Sequence, residues 1–269
     1  MLRDITLGQY YPSNSVMHRL DPRLKTVLTM LYIALIFTVK NFWGFLVLAV
    51  LTYILIFLSG VPVKLFFKSL KPLFLIMLFT AVLNLFLTGG EVIWRFGFLK
   101  LTREGIHMSV FMMLRIIFLV GGSSFLMFTT SPVMLTSAME SLMKPLSKIG
   151  VPAHEISMMI SIALRFIPTL IEETQKIMMA QKARGASFDE GNVINRTKAL
   201  IPVLVPLFVS AFRRADELAS AMESRCYNGS ENRTKMKEPK MKKRDYTAIV
   251  IFLLGAAAVF LTRFIWQGM

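Results

Sequence analysis

The charged residues of this chain stand in clusters that leave long uncharged runs between them. The runs cover residues 26–39, 41–63, 72–90, 116–139 and 246–262. About 20 apolar residues in a helix cross a hydrocarbon core about 30 Å thick. The second, third and fourth runs reach that length. The first is short, but Lys25 and Lys40 at its ends are long enough to snorkel to the two interfaces. The last lies between Asp245 and Arg263, and Phe264, Ile265 and Trp266 extend its apolar body. The pattern predicts five membrane-spanning helices.

Between the fourth and fifth runs the pattern changes. Residues 131–245 are too long and too periodic for a linker. They hold two apolar stretches, 156–171 and 199–212. Each is short and carries proline (Pro168; Pro202 and Pro206), and crossing would carry the basic stretch between them outward. Such stretches read as amphipathic helices outside the bilayer. Ile156, Ile160, Ala163, Ile167, Leu170, Thr174 and Ile177 recur at spacings of three and four, which predicts a helix over 153–183. Glu172 and Lys176 form a supportive i,i+4 pair on it. A second helix, over 193–225, repeats Leu200, Leu204, Leu207, Ala211, Leu218 and Met222. Its Ala211, Ala215 and Ala219 make a small-residue ladder of the kind that lets another helix approach closely. A close crossing of these two helices is expected. A shorter helix is expected over 132–148, capped by Thr130 or Ser131. The fold class is therefore an all-α integral membrane protein: about five transmembrane helices plus a cytoplasmic coupling domain of long crossed amphipathic helices. The expected domains are 1–130, 131–245 and 246–269.

Composition narrows the class. The chain has 269 residues, 55% of them apolar and only 17% charged, with a mean hydropathy of +0.59. A soluble domain carries about 25% charge, so a soluble monomer and a disordered chain are both excluded. The net charge of +15 would raise nucleic acid in a soluble protein. Here the positive-inside rule explains it. Four Lys and Arg lie in residues 1–25, three in 61–71 and eighteen in 131–245, against five on the other side. An inside N-terminus and an outside C-terminus follow. Arg115 is left within span four, where a charge costs about 2.5–3.5 kcal/mol, and it should face protein or a polar partner. No cleavable signal peptide is expected from the mixed polar residues 1–25.

The two long helices end alike. Ala180-Gln-Lys-Ala183-Arg184-Gly185 is matched by Ala221-Met-Glu-Ser224-Arg225-Cys226, and an aromatic follows each (Phe188; Tyr227). Gly185 suits the left-handed position that ends many helices. An arginine in a last turn complements the helix dipole, but two in matched context suggest more. Their small neighbours leave each guanidinium open to enter an acidic groove on a partner. Recognised chemistry is otherwise missing. There is no G-x-x-x-x-G-K-[ST] phosphate loop, no H-E-x-x-H and no G-x-S-x-G. The adjacent acids Glu172-Glu173 and Asp189-Glu190 read as solvated faces. The lone Cys226 and the dispersed His18, His107 and His154 exclude a disulfide and show no metal-ligand spacing.

These residues resemble a known family, the transmembrane coupling (T) component of energy-coupling factor transporters, a branch of ATP-binding-cassette importers. The resemblance runs through nearly the whole chain. It rests on Leu20-Asp21-Pro22-Arg23, Lys71-Pro72, Ser161-Ile-Ala-Leu-Arg165-Phe-Ile-Pro168-Thr169-Leu170, Lys182-Ala183-Arg184-Gly185-Ala186-Ser187-Phe188 and Ala221-Met-Glu-Ser224-Arg225-Cys226-Tyr227. It implies that Arg184 and Arg225, with Ala183, Gly185, Ser224 and Cys226 around them, each dock one of two cytoplasmic ABC-type ATPases, expected as a heterodimer. Family members usually carry glycine where Cys226 stands. Arg165 and Pro168, with the alanine ladder, are assigned to coupling-helix packing. The resemblance further implies a separate vitamin-binding S component in a prokaryotic plasma membrane. It implies no cofactor in this chain, because ATP and magnesium belong to the ATPases. The details lean to a module shared by many S components. A dedicated cobalt or nickel importer is the alternative. A stand-alone membrane enzyme lacks acidic residues in the spans, and a permease would have to use Asn84, Arg115 or Ser123-Ser124.

Overall fold

The computed structural model describes residues 10–96, 99–186, 188, 193–229 and 241–267. Ser187 and the Asp189-Glu190 pair lie outside them. The described chain is all but wholly helical. It falls into two compact units, whose described residues lie within 139–229 and within 10–138 with 241–267.

In the larger unit, α1 (Pro22–Thr38) starts where Asp21 caps it and Pro22 fixes the first turn. α2 (Phe42–Ser59) follows and stops at Gly60 in the left-handed region. The expected loop before span three is instead α3 (Val63–Leu70), which runs through a 3-10 turn (Lys71–Leu73) into α4 (Phe74–Leu87). A two-stranded antiparallel hairpin, β1 (Val92–Phe96) and β2 (Leu99–Thr102), was not foreseen. α5 (Arg103–Thr129) begins thirteen residues before the uncharged run that announced it, because Thr102 caps it by accepting from the Gly105 N–H. α6 (Pro132–Met143) leads out of the unit, and α9 (Lys243–Gln267) returns to it.

The core of this unit joins α1, α2, α5 and α9 through Leu35, Ile36, Phe45, Leu48, Phe111, Phe118 and Val259. Phe45 meets Phe111 edge-on at 4.8 Å and stacks on Phe118 at 5.8 Å. Phenylalanines on the outer faces, such as Phe57 and Phe79, stay exposed, as a bilayer-facing surface requires.

Five helical stretches are long and apolar enough to cross a bilayer: Phe42–Ser59, Val63–Leu87, Arg103–Thr129, Ala153–Ala183 and Lys243–Phe264. The number is the one expected, but the set differs. The first uncharged run becomes the 17-residue α1, which at 1.5 Å per residue is about 26 Å long. The stretch 153–183 qualifies on length and apolarity despite Arg165. The chain is a multi-pass membrane protein.

Arg115 reaches from α5 to α1 and donates to the carbonyl of Val39, the C-cap of α1, at 3.3 Å. Its guanidinium sits 5.0 Å from the Phe111 ring centroid and 5.9 Å from that of Phe37. A cation at the carbonyl end of a helix with aromatic faces beside it is a structural arrangement.

A second knot lies at the opposite end of α1. Asp21 caps Arg23 with its side chain, while its own N–H donates to Asp245 Oδ1 at 2.9 Å. Asp245 Oδ2 accepts from the Lys242 N–H at 2.7 Å. Lys25 donates to the carbonyl of Thr129, the last residue of α5, at 2.9 Å. Asp21, Lys25 and Asp245 are all buried. The first turn of α1 therefore grips both the end of α5 and the start of α9, between which the smaller unit is inserted in sequence. Asp245→Ala leaves two backbone donors without their acceptor, one of them buried. It is expected to cost about 2 kcal/mol, measurable as a lowered midpoint of thermal unfolding in detergent. An unchanged midpoint would contradict this account of the knot.

Candidate functional site

The smaller unit holds two helices of 31 residues each, α7 (Ala153–Ala183) and α8 (Val193–Glu223). α7 has the expected bounds; α8 stops two residues short of them. The 3-10 segment Lys144–Ile149 before α7 replaces the last turns of the helix expected over 132–148. His154 at the start of α7 pairs with Glu140 of α6 at 3.0 Å.

Both long helices end in the same backbone construction. After α7, Arg184 donates its N–H to the carbonyls of Ala180 and Gln181, Gly185 to Lys182 at 3.0 Å, and Ala186 back to Gln181 at 3.0 Å. After α8, Arg225 donates to Met222 at 3.1 Å, Cys226 to Glu223 at 2.8 Å, and Tyr227 back to Met222 at 3.1 Å. With the two arginines aligned, the last two bonds of each set coincide residue for residue. This is the helix stop in which a left-handed residue lets the next N–H bond back over the last turn. Gly185 takes that conformation at φ +91° and Cys226 at φ +54°. Cys226 is the sole non-glycine residue at positive φ among the described residues. A side chain there costs about 1–2 kcal/mol, so the cysteine completes the second end under strain.

The chain turns away directly after each arginine, so each stands at the tip of its helix. Ala183, Arg184, Gly185, Ser224, Arg225 and Cys226 are all exposed. No carboxylate among the described residues forms an ion pair with Arg184 or Arg225. Lys182 places its ammonium 6.0 Å from the Phe188 ring beside the first tip.

The contact between the helices includes a polar cluster that sequence reasoning did not name. Glu173 of α7 accepts from the Ser210 hydroxyl and, at 2.8 Å, from the Arg214 guanidinium of α8. Nearer the end of α7, the Gln181 side-chain amide donates to the carbonyl of Pro202 at 3.5 Å. That carbonyl lacks its helical donor, because the residue four positions on is Pro206. Partners fall along α8 as residue numbers rise along α7, so the helices run antiparallel. Val203, Leu207, Ser210, Arg214 and Leu218 turn inward on α8, while Ala215, Ala219, Leu200 and Leu204 are exposed and Ala211 is half-buried. Ala211 and Ala215 lie one position beyond Ser210 and Arg214, about 100° round the helix. Turning the charge pair inward leaves Ala215 and Ala219 outside. Arg165 and Pro168 are also exposed.

The repeated ends belong to a longer repeat. Glu172-Glu173 stand eleven to twelve residues before Arg184, and Arg213-Arg214 hold the same places before Arg225. Lys176 and Lys182 likewise match Glu217 and Glu223. The two copies carry opposite charges at equivalent positions, and Glu173 and Arg214 meet. An antiparallel pair that touches at equivalent residues has a local pseudo-two-fold axis through that contact. Each arginine then lies eleven residues, about 16 Å of helix, from the crossing, in opposite directions. The signal was in the sequence as a charge inversion between the two copies.

Some polar residues of the spans close on their own helices. Asn84 donates to the Thr80 carbonyl at 2.8 Å and Ser123 to Leu119 and Val120 at 3.0 Å. Ser109 instead bridges α5 to α4 through the Ala81 carbonyl at 3.0 Å, a contact that sequence reasoning missed. Among the described residues no group of three or more His, Cys, Asp or Glu is placed to hold a metal.

The profile of a family described as cobalt transport protein (CbiQ) matches residues 13–236. The energy-coupling factor transporter transmembrane protein EcfT of Thermosediminibacter oceani is 52% identical over 98% of this chain and 100% of its own. That of Clostridium kluyveri is 52% identical over the full length of both chains. That of Brevibacillus brevis is 46% identical over 94% of this chain and 96% of its own.

Two variants test the geometry of the ends and the crossing. Cys226→Gly should stabilise the end of α8 by about 1 kcal/mol, read as about fivefold slower amide exchange over residues 221–227. Reversing Glu173 to Arg should weaken the α7–α8 contact, and adding Arg214→Glu should restore it, with a coupling of about 1 kcal/mol in a double-mutant cycle. A cycle with no coupling would remove the crossing contact from the account.

Proposed function

The chain belongs to the family of transmembrane proteins of energy-coupling factor transporters, and from that premise we propose that it couples two partner ATPases to a separate substrate-binding membrane protein. The observation that carries this reading is the pair of equivalent arginine tips at equal distances from one crossing. Two ATPases that dimerise around a two-fold axis offer two like grooves, and a pseudo-symmetric pair of tips fits them. Arg184 docks in one and Arg225 in the other. Each guanidinium would enter an acidic groove as an anchor of the kind whose loss costs 2 kcal/mol or more.

In this reading ATP and magnesium sit wholly in the partners, and the chain itself is non-catalytic. The ATPase dimer shifts the coupling helices only as far as its two states bind their two arrangements unequally. The antiparallel crossing passes a change at the tips into one shared contact at Glu173, Ser210 and Arg214. The larger unit spans the membrane with α1, α2, α3–α4, α5 and α9, with the N-terminus in the cytoplasm. Residues 131–245 lie in the cytoplasm, and α7 stays out of the hydrocarbon. Glu172, Glu173, Lys176 and Lys182 along its second half favour that placement, as does the excess of Lys and Arg in residues 131–245. The substrate, a vitamin in this reading, is chosen by the S component. A dedicated cobalt or nickel importer is the second reading, favoured by the description of the matching family.

A tagged pull-down from native membranes tests the proposal. The wild-type chain is expected to bring down two ATPases and one or more small membrane proteins. Arg184→Glu with Arg225→Glu should lose the ATPases while the chain still inserts. Several different small membrane proteins would mark a shared module and one would mark a dedicated importer. A double variant that keeps its ATPases and transports normally would overturn the docking assignment.

A further inference from the structure

The helix α3 presents a surface that the coupling role does not use. Its eight residues carry Lys64 and Lys68, and Lys71 follows in the 3-10 turn. At 100° per residue these three fall within about 60° of one another on the helix. All three are exposed, and no carboxylate among the described residues pairs with them. Beside them on the next face are Val63 and Phe67, 51% and 65% exposed. Opposite the lysines, Phe66 packs against α5 so tightly that a Cβ on Gly121 would stand 2.4 Å from its ring. The helix is thus fixed by one face and offers an exposed apolar edge and a basic edge side by side.

Length sets where these edges lie. The continuous stretch Val63–Leu87 has 25 residues, about 37 Å at helical rise, against a core of about 30 Å. α4 carries no charge, so the surplus falls at the lysine end, in the headgroup layer. There Phe67 and Val63 sink toward the acyl chains and the lysines reach phosphate.

We propose that α3 is a binding surface for anionic glycerophospholipid, with the Lys64, Lys68 and Lys71 ammonium groups on headgroup phosphates and Phe67 and Val63 as the apolar anchor. The charge and the exposed aromatic edge together favour a bilayer lipid over a soluble phosphate, which would use the lysines alone. Three lysines near an anionic surface each contribute about a fivefold preference at low salt, and salt screens it.

The test uses the full-length chain in nanodiscs of phosphatidylcholine with a fraction of phosphatidylglycerol. Spin-labelled phosphatidylglycerol and phosphatidylcholine report the motionally restricted lipid. Wild type is expected to favour phosphatidylglycerol by at least about threefold, falling at 0.5 M salt. The Lys64→Gln, Lys68→Gln, Lys71→Gln variant should lose the preference. The corresponding arginine variant should keep it, which separates lost charge from lost fold. Phe67→Ser should lower it with the lysines intact, whereas an effect of charge alone would leave it unmoved and overturn the anchor. Equal selectivity in wild type and the glutamine variant would overturn the proposal. So would unchanged selectivity with loss of a co-purifying protein, which would give the face to a protein partner. Arg184→Glu with Arg225→Glu should leave the lipid preference unmoved, so this proposal and the docking assignment fail separately.

Discussion

Glu173 meeting Arg214 is the contact on which the smaller unit depends. Alone it is a half-exposed ion pair, which would count for little in stability. Its weight comes from position. It joins equivalent residues of two inverted copies and so fixes both the antiparallel sense and the equal reach of the two arginine tips. The Ser210 hydroxyl adds a second bond to the same carboxylate, and Gln181 supplies the donor that Pro206 withholds from Pro202. Prolines in α8 therefore do more than interrupt an apolar run. They free a carbonyl to which the partner helix donates.

The larger unit solves a different problem, which is to hold polar groups at membrane depth without making a solute site of them. Arg115 is spent on the carbonyl end of α1, Ser109 on a carbonyl of α4, and Asn84 and Ser123 on their own helices. At the other end of α1, Asp21, Lys25 and Asp245 fasten the places where the chain leaves for the smaller unit and comes back. Leu20-Asp21-Pro22-Arg23 thus has a mechanical meaning, since its aspartate caps α1 with its side chain and donates its backbone N–H to Asp245 at the start of α9, the last helix in the chain.

Much of this was legible in the residues. The helix over 153–183 could be bounded because an apolar stripe and Gly185 agree on one answer. The membrane character followed from uncharged runs alone. Where reading failed, a local rule was overridden. The start of α5 was missed because Arg103, Glu104 and Arg115 broke the uncharged run, although Thr102 marked the cap. The hairpin at residues 92–102 was missed because aromatic and β-branched residues beside a span read as loop. The rotation of α8 was missed because a row of alanines looked like a packing face, while the deciding charges lay one position back. Cys226 stands where family members usually carry glycine, yet the last two backbone bonds there match those of the Gly185 end.

The most direct measurement of the central claim is photo-crosslinking from the two tips in native membranes. A photoreactive amino acid would be placed at Ala183 in one variant and at Ser224 in another, leaving both arginines intact. The account predicts one ATPase adduct from each position, with the two sites reaching equivalent grooves. Adducts to lipid alone, or ATPase adducts from one tip and none from the other, would contradict it.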